Sequence, residues 1–557
     1  MGATETTASP ELSTSGSSGP KMFAIVCFVL SILYYFGSVL SVPLKQTNLL
    51  DLGPYPDAVE YFAQANSLVK EGTPTIQIGY DRLPSRYPPG YPILMIPWLK
   101  FFPQSSILAP FRTNQAIGLL LLIGGFTIYA VIGRPLAAGL GSLFLATQPA
   151  FVTFSRSSMS DLSAGTAAVL TFALVYFGFR SQRRWLIYAA AVLLGLSVCI
   201  RSPLLFFAPL FIIMAFFPVL DSRRRWLVHC LLIVLVFALA ASPYFLLNAA
   251  EFGHPLKTGY DFWVPTFMDK PPFSLGNVPR QGAMLFSELT ASWNQFRVAN
   301  LFGTGTYAVP AFVILALFGT VFIRWRGFEI SAFLSTASFF LATIAFSFAD
   351  VRYYLPVLFL LIGLVVLPAE WALQKAVRAR FSIPVVGVLI LSVLSCLGYP
   401  SESGFPPKGG RVQAWDALRY RKGRGKSSLF KAQEEFIQNF RQWPGIVLSD
   451  IDPAYLNALW PKEFAAAPID SDHHYRYSKR WHYGHAEALQ LVRNAMAKNV
   501  PVYVLLSARG KEKGVERLPV IEGYHWQQSD KLISRAVVMT LVANVEQKTT
   551  AASAELE

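Results

Sequence analysis

Charged residues are scarce in this sequence. Only 15% of its 557 residues are Asp, Glu, Lys or Arg, while 53% are hydrophobic, and the mean hydropathy is +0.41. This composition excludes a soluble globular protein of such length and predicts a polytopic membrane protein. Acidic residues are fewer than basic ones, with 33 Asp and Glu against 48 Lys and Arg. We attribute the resulting net charge of +15 to membrane topology and not to a nucleic-acid partner.

Cysteine is also scarce. The four cysteines, Cys27, Cys199, Cys230 and Cys396, all fall in apolar runs. This placement predicts buried thiols and excludes a disulfide framework. Asn-x-Ser/Thr sites are absent, which favours a bacterial inner membrane slightly over an endoplasmic reticulum. Residues 1–20 are poor in apolar side chains, so we expect a disordered tail.

Apolar runs long enough to cross a bilayer follow this tail. A window of about twenty residues gives about eleven transmembrane helices. The first run begins at Met22 and lacks a good cleavage signal, so we interpret it as a retained anchor. The predicted spans are 22–42, 110–132, 136–154, 162–179, 185–200, 203–219, 226–248, 306–323, 328–348, 353–371 and 382–398.

Basic residues gather in the loops on one side of these spans. Because such loops stay in the cytoplasm, we expect the N-terminus inside and the loops 43–109 and 249–305 outside. Within the chain, residues 21–400 form the predicted membrane domain. The basic residues are Arg180, Arg183, Arg184, Arg223, Arg224, Arg225, Arg324, Arg326, Lys375, Arg378 and Arg380.

The composition becomes that of a soluble protein after the membrane domain. Residues 401–426 are expected to be a linker and residues 427–557 an extracytoplasmic α/β domain, because strand and helix patterns alternate there. The predicted helices are 432–441, 454–459 and 486–498, and the predicted strands are 446–450, 502–507 and 536–542. This domain contains no Gly-rich phosphate-binding pattern.

The loop from Leu50 to Phe102 is long, polar and aromatic, which is typical of a functional loop. Asp57 begins a segment whose apolar residues recur at helical spacing. A carboxylate there would suit a general base acting at the membrane surface. The alternative is a simple first-turn or capping acid, which Asp often is at a helix start.

Arginines near the membrane boundary are the second feature of the outer side. Arg82 and Arg86 lie in the long loop, and guanidinium groups suit a phosphate because they can hold two oxygens at once. The alternative is binding of anionic lipid headgroups without catalysis. Isolated charges occur at Arg156, Asp161, Arg201, Asp350 and Arg352. Such residues are functional candidates, although snorkelling anchors or helix caps would also explain them.

A set of short motifs accompanies these charges along the outer side. They are Pro56-Asp57-Ala58-Val59-Glu60-Tyr61-Phe62-Ala63-Gln64-Ala65-Asn66, Glu71-Gly72, Arg86-Tyr87-Pro88-Pro89-Gly90-Tyr91-Pro92, Ser160-Asp161-Leu162, Arg201-Ser202-Pro203, Phe252-Gly253-His254-Pro255 with Thr258-Gly259-Tyr260, and Arg352-Tyr353-Tyr354-Leu355-Pro356. Together they resemble the GT-C glycosyltransferases, in the branch of the protein mannosyltransferases and aminoarabinose transferases. The resemblance covers roughly residues 20–400, and it also implies the existence, though not the details, of an outer C-terminal domain.

The resemblance implies a fold, a reaction and roles for residues. The fold would be a GT-C-like bundle, and the reaction would move a sugar from a polyprenyl phosphate, in a bacterium undecaprenyl phosphate, to a lipid, glycan or protein acceptor, usually with inversion. It implies Asp57 and Asp161 as catalytic residues, with a divalent cation as an optional cofactor and no metal ligand assigned. It implies Arg82, Arg86, Arg201 and Arg352 for the donor phosphate, and Glu60, Tyr61, Tyr87, Tyr91, Tyr260 and Tyr353 for substrate contact.

The sequence also departs from that family. Protein mannosyltransferases carry an Asp-Glu pair where this chain has Asp57-Ala58, and aminoarabinose transferases commonly place an acid and a lysine before Pro-Pro, where this chain has Ser85-Arg86-Tyr87. Neither the sugar nor the acceptor therefore follows from the motifs.

Two alternatives remain open at the level of sequence. A transporter or a lipid-phosphate-binding scaffold could use the same arginines, although we see no internal repeat of the transporter kind. In the C-terminal domain, His473, His474, His482 and His485 could form a metal or sugar site, but their spacing fits no zinc motif, and a polar loop packed over the membrane domain explains them better.

Overall fold

The computed structural model describes residues 18–41, 57–103, 108–131, 133–217, 223–263, 273–283, 308–323, 325, 327–348, 351–378, 387, 429–450, 453–459, 465–469, 484–507, 518–530 and 536–544. Within these residues, six helices are long and apolar enough to cross a membrane, and three shorter apolar helices accompany them. The protein is therefore a polytopic helical membrane protein, as the composition predicts.

The helices of the membrane part are numbered in chain order. They are α1 (Ser18–Tyr35), α2 (Asp57–Glu71), α3 (Gly90–Phe101), α4 (Ala109–Val131), α5 (Pro135–Thr147), α6 (Pro149–Ser155), α7 (Asp161–Ser181), α8 (Arg184–Val198), α9 (Pro209–Ile213), α10 (Arg223–Phe252), α11 (Gly259–Trp263), α12 (Ala308–Gly319), α13 (Gly327–Ile344) and α14 (Leu355–Arg378). Short 3-10 turns occupy Ser202–Phe207, Met214–Phe216, Leu275–Asn277, Thr320–Phe322 and Val351–Tyr354.

The predicted spans coincide with these helices in position but not always in length. The predicted span 136–154 is broken into α5 and α6, because Pro149 has no N–H with which to continue the first helix. The described residues of the predicted span 203–219 form 3-10 turns around the five-residue α9. The last predicted span, 382–398, lies almost entirely outside the described residues. In the bundle, α1 packs along α5, α8 packs between α7 and α10, and α14 packs against α7 and α12.

The long outer loop is folded over residues 57–103. Its amphipathic segment forms α2, as the helical spacing predicts. A hairpin that we did not predict follows, with β1 (Thr75–Ile78) antiparallel to β2 (Asp81–Pro84). Gly79 turns the chain between the strands at φ 59°, a backbone angle that glycine adopts without steric cost. The hairpin returns the chain to α2 and so brings the Ser85–Pro92 segment beside it.

The C-terminal residues form a five-stranded α/β sheet. Its elements are α15 (Leu429–Phe440), β3 (Ile446–Ser449), α16 (Pro453–Leu459), β4 (Ala465–Pro468), α17 (His485–Ala497), β5 (Val502–Ser507), β6 (Tyr524–Gln528) and β7 (Ala536–Ala543). The strand order is β4-β3-β5-β7-β6. Strands β3, β4 and β5 are parallel, and β7 is antiparallel to β5 and β6. Strands β4 and β6 were not predicted.

The sheet is attached to the outer loop through α2. Buried apolar side chains of both parts belong to one continuous core. The ring centroids of Phe62 on α2 and Tyr455 on α16 are 5.8 Å apart. The Gly79 N–H donates to the carbonyl of Ala466 in β4 at 2.6 Å. The helix that begins with Asp57 therefore rests on the C-terminal sheet.

Candidate active site

Asp57 is the first residue of α2, and its side chain is buried. Only 7% of the residue is exposed. The Tyr87 hydroxyl donates to Oδ1 at 2.5 Å, and Nη1 of Arg352 lies 2.9 Å from Oδ2. Two groups from distant parts of the chain therefore converge on one carboxylate. An acid that only caps a helix would need neither the Tyr87 hydroxyl nor the Arg352 guanidinium.

Glu60 lies one turn further along α2 and faces the Ser85–Tyr87 segment. Its carboxylate is fully buried and forms an ion pair with the Arg86 guanidinium. It also accepts from the Ser85 hydroxyl at 3.1 Å and from the Arg86 N–H at 3.0 Å. These bonds hold the segment against α2 and so fix the position of Tyr87.

A second support for this segment comes from α11. Trp263 donates through Nε1 to the Pro84 carbonyl at 2.6 Å, and its ring lies 5.7 Å from the Arg86 guanidinium carbon. A Cβ at Gly259 would stand 2.1 Å from the Ser85 carbonyl oxygen, so only glycine permits this approach. Gly259 belongs to one of the sequence motifs, but its close approach to Ser85 could not be predicted from them. Nothing in the sequence indicated a role for Trp263.

Asp161 is the first residue of α7 and is completely buried. Its Oδ1 forms an ion pair with Nη1 of Arg201, while Oδ2 has no hydrogen-bond donor among the described residues. The neighbouring Ser160 hydroxyl is 2.8 Å from the Tyr61 hydroxyl. These contacts join α7 to α2 and orient Arg201.

Tyr353 lies between the two arginines. The Arg201 guanidinium carbon is 4.9 Å from the centroid of its ring, and the Arg352 carbon is 5.3 Å from it. Guanidinium groups bind aromatic faces by cation–π attraction, which orients them and offsets part of their repulsion. Two positive charges are thereby kept near each other at one site.

These residues line a cavity of about 330 Å³. Its polar end includes Asp57, Arg201 and Arg352, and Tyr61, Tyr87, Tyr260 and Tyr353 also line it. The rest of the wall is largely apolar and contains Leu205, Phe206, Phe245, Leu256, Phe273 and Phe346. A cavity with an apolar wall and a few convergent polar groups is typical of a ligand site. This one suits an amphipathic ligand with a negatively charged head.

The tyrosines near Asp57 are buried together. The ring centroids of Tyr61 and Tyr87 are 4.8 Å apart, and those of Tyr87 and Tyr260 are 5.7 Å apart. Burial raises the pKa of Tyr87 well above its ordinary value, and the negative charge of Asp57 raises it further. Burial likewise raises the pKa of Tyr260. The Tyr87 hydroxyl therefore remains a proton donor toward Asp57.

Five residues in the expected set do not line this cavity. Glu60 and Arg86 are paired with each other beneath it, and burial raises the pKa of Glu60 while Arg86 opposes that shift. Tyr91 donates to the Pro110 carbonyl at 3.1 Å. Arg82 lies on the surface, 41% exposed, in an ion pair with Glu71. Asp161 reaches the cavity only through Arg201.

A metal is poorly matched to these side chains. The described residues contain no group of three or more His, Cys, Asp or Glu side chains that could hold an ion. Asp57 and Asp161 each face a guanidinium, which repels a divalent cation and attracts a phosphate. Asp261, a further carboxylate in the cavity wall, accepts hydrogen bonds from the N–H and the hydroxyl of Thr258. His473, His474 and His482 lie outside the described residues.

Comparisons with known proteins give the fold a name. No protein-family profile matches the sequence, and no curated protein matches it. Among solved structures, ArnT from Cupriavidus metallidurans bound to undecaprenyl phosphate superposes with a TM-score of 0.57 at 13% identity, over 94% of this chain and 98% of that one. The chain has the GT-C fold. Because the superposition covers 94% of this chain, it also includes residues outside the range 20–400.

Two further structures share this GT-C fold. Archaeal oligosaccharyltransferase AglB from Archaeoglobus fulgidus, in complex with an inhibitory peptide and a dolichol-phosphate, has a TM-score of 0.55 at 14% identity, over 90% of this chain and 71% of that one. An Archaeoglobus fulgidus oligosaccharyltransferase in complex with Zn and sulfate has a TM-score of 0.54 at 13% identity, over 91% of this chain and 72% of that one. At such identities the likeness concerns the fold.

Proposed function

We propose that this protein is a membrane glycosyltransferase that moves a sugar from a polyprenyl-phosphate donor to an acceptor outside the cytoplasm. The polar end of the cavity is the main support for this proposal. There the Asp57 carboxylate lies near the guanidinium groups of Arg201 and Arg352, which both contact the Tyr353 ring. The apolar wall beside it suits a lipid chain. Undecaprenyl phosphate and dolichol-phosphate in two structures of the same fold support this choice of donor.

The proposed reaction is a single displacement. Asp57 accepts the proton of the acceptor's hydroxyl or amine as the acceptor atom forms its bond to the anomeric carbon. The bond from that carbon to the phosphate oxygen breaks, and its electron pair leaves with the polyprenyl phosphate. Arg201 and Arg352 stabilise the negative charge that grows on this phosphate. Because attack and departure occur on opposite faces of the sugar, the anomeric configuration inverts.

Three other residues act through these groups. Tyr87 donates to Oδ1 of Asp57 and holds the carboxylate in orientation. Asp161 fixes Arg201, and Tyr353 keeps the two guanidinium groups on the same phosphate. Glu60 and Arg86 serve as the internal support of Tyr87.

The topology belongs to the same proposal. We place the protein in a bacterial inner membrane, with residues 21–400 as the membrane domain and undecaprenyl phosphate as the carrier. The N-terminus is then cytoplasmic, and the domain 427–557 lies outside with the outer loops. The positive-inside distribution of the loop arginines supports this orientation.

A glycan profile tests the function. Glycolipids and surface glycans are measured by mass spectrometry in cells that lack the chain and in cells that carry wild type, Asp57→Asn or Arg82→Gln at equal membrane levels. We expect deletion and Asp57→Asn to remove a sugar from one acceptor and to accumulate its polyprenyl-phosphate donor. Arg82→Gln, which changes a surface arginine of the same loop, should match wild type.

Two outcomes would contradict the proposal. If Asp57→Asn matches wild type while deletion alters the profile, Asp57 is only a helix-start acid. If deletion leaves every glycan and carrier unchanged, the transporter or scaffold alternative replaces the enzyme.

A further inference from the structure

A second cavity, of about 580 Å³, lies between α4, α5, α7, α13 and α14. Its charged residues lie at helix ends that are remote from Asp57. Arg180 at the end of α7 and Glu329 at the start of α13 line it, whereas Asp161 starts α7 at the other end. The proposed reaction uses none of its residues.

Most of this cavity is apolar. Its wall includes Leu121, Leu122, Leu145, Val169, Phe172 and Phe359. Gly125 on α4 also lines it, and a Cβ added there would meet no atom within 4 Å. The volume falls within the range of small-molecule and lipid sites, about 300–1,000 Å³. It offers an acyl chain a place between helices.

The charged groups of the cavity wall lie at one end. Arg180 donates to the Tyr176 hydroxyl at 3.1 Å, and Arg134 lies 3.4 Å from Glu370 in an ion pair. Glu329 forms no ion pair with any of the described residues. The Phe179 and Phe328 rings, neighbours of Arg180 and Glu329 in sequence, are 6.3 Å apart, so both charges lie at one end.

These charges indicate the headgroup. Glu370 neutralises Arg134, so that among the described residues of the cavity wall one positive group, Arg180, and one negative group, Glu329, remain. A purely anionic headgroup would satisfy Arg180 but would be repelled by Glu329. A headgroup with a phosphate and an amine satisfies both. Tyr129 lines the same cavity, and its hydroxyl can donate to a phosphate.

We propose that this cavity binds an aminophospholipid of the surrounding membrane. Its phosphate lies at Arg180, its ammonium at Glu329, and one acyl chain lies among the apolar side chains. The site is separate from the proposed donor site, so it does not depend on the glycosyltransferase reaction. Its ligand is a membrane lipid and not a substrate.

Native mass spectrometry of the purified full chain tests this site. Phosphatidylethanolamine and phosphatidylglycerol are added separately to delipidated protein in detergent. We expect phosphatidylethanolamine to be retained more strongly. Arg180→Ala should weaken its retention about tenfold or more, the usual loss for a hydrogen bond to a charged group, and Glu329→Gln should abolish the preference between the two lipids.

Matched variants separate the cavity from the general lipid surface. Gly125→Leu fills the cavity and should abolish retention, whereas Thr127→Leu, on the exposed face of the same helix, should not. Arg183→Ala, an exposed arginine that does not line the cavity, serves as the control for charge. Monodisperse elution of each variant establishes that it is folded.

The proposal is overturned by any of three results. Wild type could retain neither lipid, Gly125→Leu could retain phosphatidylethanolamine as wild type does, or phosphatidylglycerol could be retained equally well. None of these results bears on sugar transfer, which is measured with a different ligand and different variants.

Discussion

Asp57 and Arg352 form an ion pair in the outer cavity, with 2.9 Å between Oδ2 and Nη1. The two residues are almost three hundred positions apart, and each has a separate role in the proposed reaction. A donor phosphate attracts the guanidinium and so competes with the carboxylate for it. Donor binding would therefore release Asp57 from Arg352. The carboxylate could then accept a proton from the acceptor only when the donor is bound.

Arg352 provides the first test of phosphate binding. Replacing it by Gln should weaken the binding of undecaprenyl phosphate by about 1.5–3 kcal/mol, roughly 10- to 150-fold, because a charge-assisted hydrogen bond is lost. Titration of the purified protein followed by native mass spectrometry measures the change. Arg82→Gln is the control, since Arg82 is exposed and paired with Glu71. Equal affinity in Arg352→Gln and wild type would remove Arg352 from the phosphate site.

Tyr87 should affect turnover more than binding. Tyr87→Phe keeps the tilted ring contact with Tyr61 but removes the hydroxyl that donates to Asp57. We expect kcat to fall about tenfold or more, with little change in the donor KM. A change in KM alone would contradict this role.

The pH dependence of turnover gives a second measure of Tyr87. Burial holds its pKa well above 10.0. A phenol donates while it is protonated, so a raised pKa preserves the hydrogen bond to higher pH. The wild-type rate should therefore show no loss from this tyrosine between about pH 7 and pH 9. An alkaline decline in that interval that disappears in Tyr87→Phe would show that the hydroxyl ionises there.

Two Arg–Glu pairs in the same loop offer a matched comparison of stability. Arg86 and Glu60 are buried, whereas Arg82 and Glu71 are partly exposed. Arg86→Gln leaves a buried carboxylate unpaired and should cost about 3–5 kcal/mol in free energy of unfolding. Arg82→Gln should cost about 0–1 kcal/mol. Thermal unfolding in detergent distinguishes the two, and equal midpoints would show that burial of the Glu60 pair is not a source of stability.

Asn457 should transmit the C-terminal sheet's support to α2. Its amide donates to the carbonyls of Gln77 and Ala466, at 2.8 Å each, and its oxygen accepts from the Ala466 N–H at 2.7 Å. Asn457→Ala should cost about 1–3 kcal/mol for each buried group left unpaired, and should lower kcat. Asn494→Ala, which removes an exposed partner of Gln490, is the control. If both variants match wild type in stability and kcat, the sheet does not support α2 through Asn457.

Part of this arrangement could be predicted from the sequence. The helix beginning at Asp57 was readable from its apolar spacing, and the membrane-boundary charges at Arg201 and Arg352 stood out because ionisable residues are costly there. The pairing of Glu60 with Arg86 could not be predicted from the sequence. It depends on a hairpin whose Gly79 turn reverses the chain, and on α11, which packs against Ser85.

The apolar wall of the outer cavity, strand β4 and the arginine contacts of Tyr353 have no recognisable pattern in the sequence. Phe206, Phe245 and Phe346 line the outer cavity, but in the sequence they resemble any apolar residue of a span. Strand β4 reads Ala465-Ala466-Ala467-Pro468, and neither Ala nor Pro favours strands, so its pairing with β3 is decided by tertiary packing. The stacking of two arginines on Tyr353 likewise depends on the fold.

Conversion of the donor in vitro shows whether the protein transfers a sugar from a polyprenyl phosphate and whether Asp57 is the base. The polyprenyl-linked fraction that accumulates in cells lacking the chain is incubated with purified wild type or Asp57→Asn and with acceptor membranes from the same cells. Chromatography with mass spectrometry then follows free polyprenyl phosphate. Wild type should release it while the sugar appears on the acceptor, and Asp57→Asn should be slower by about 10²–10⁴-fold. Release at the same rate by Asp57→Asn, or no release by wild type, would contradict the account.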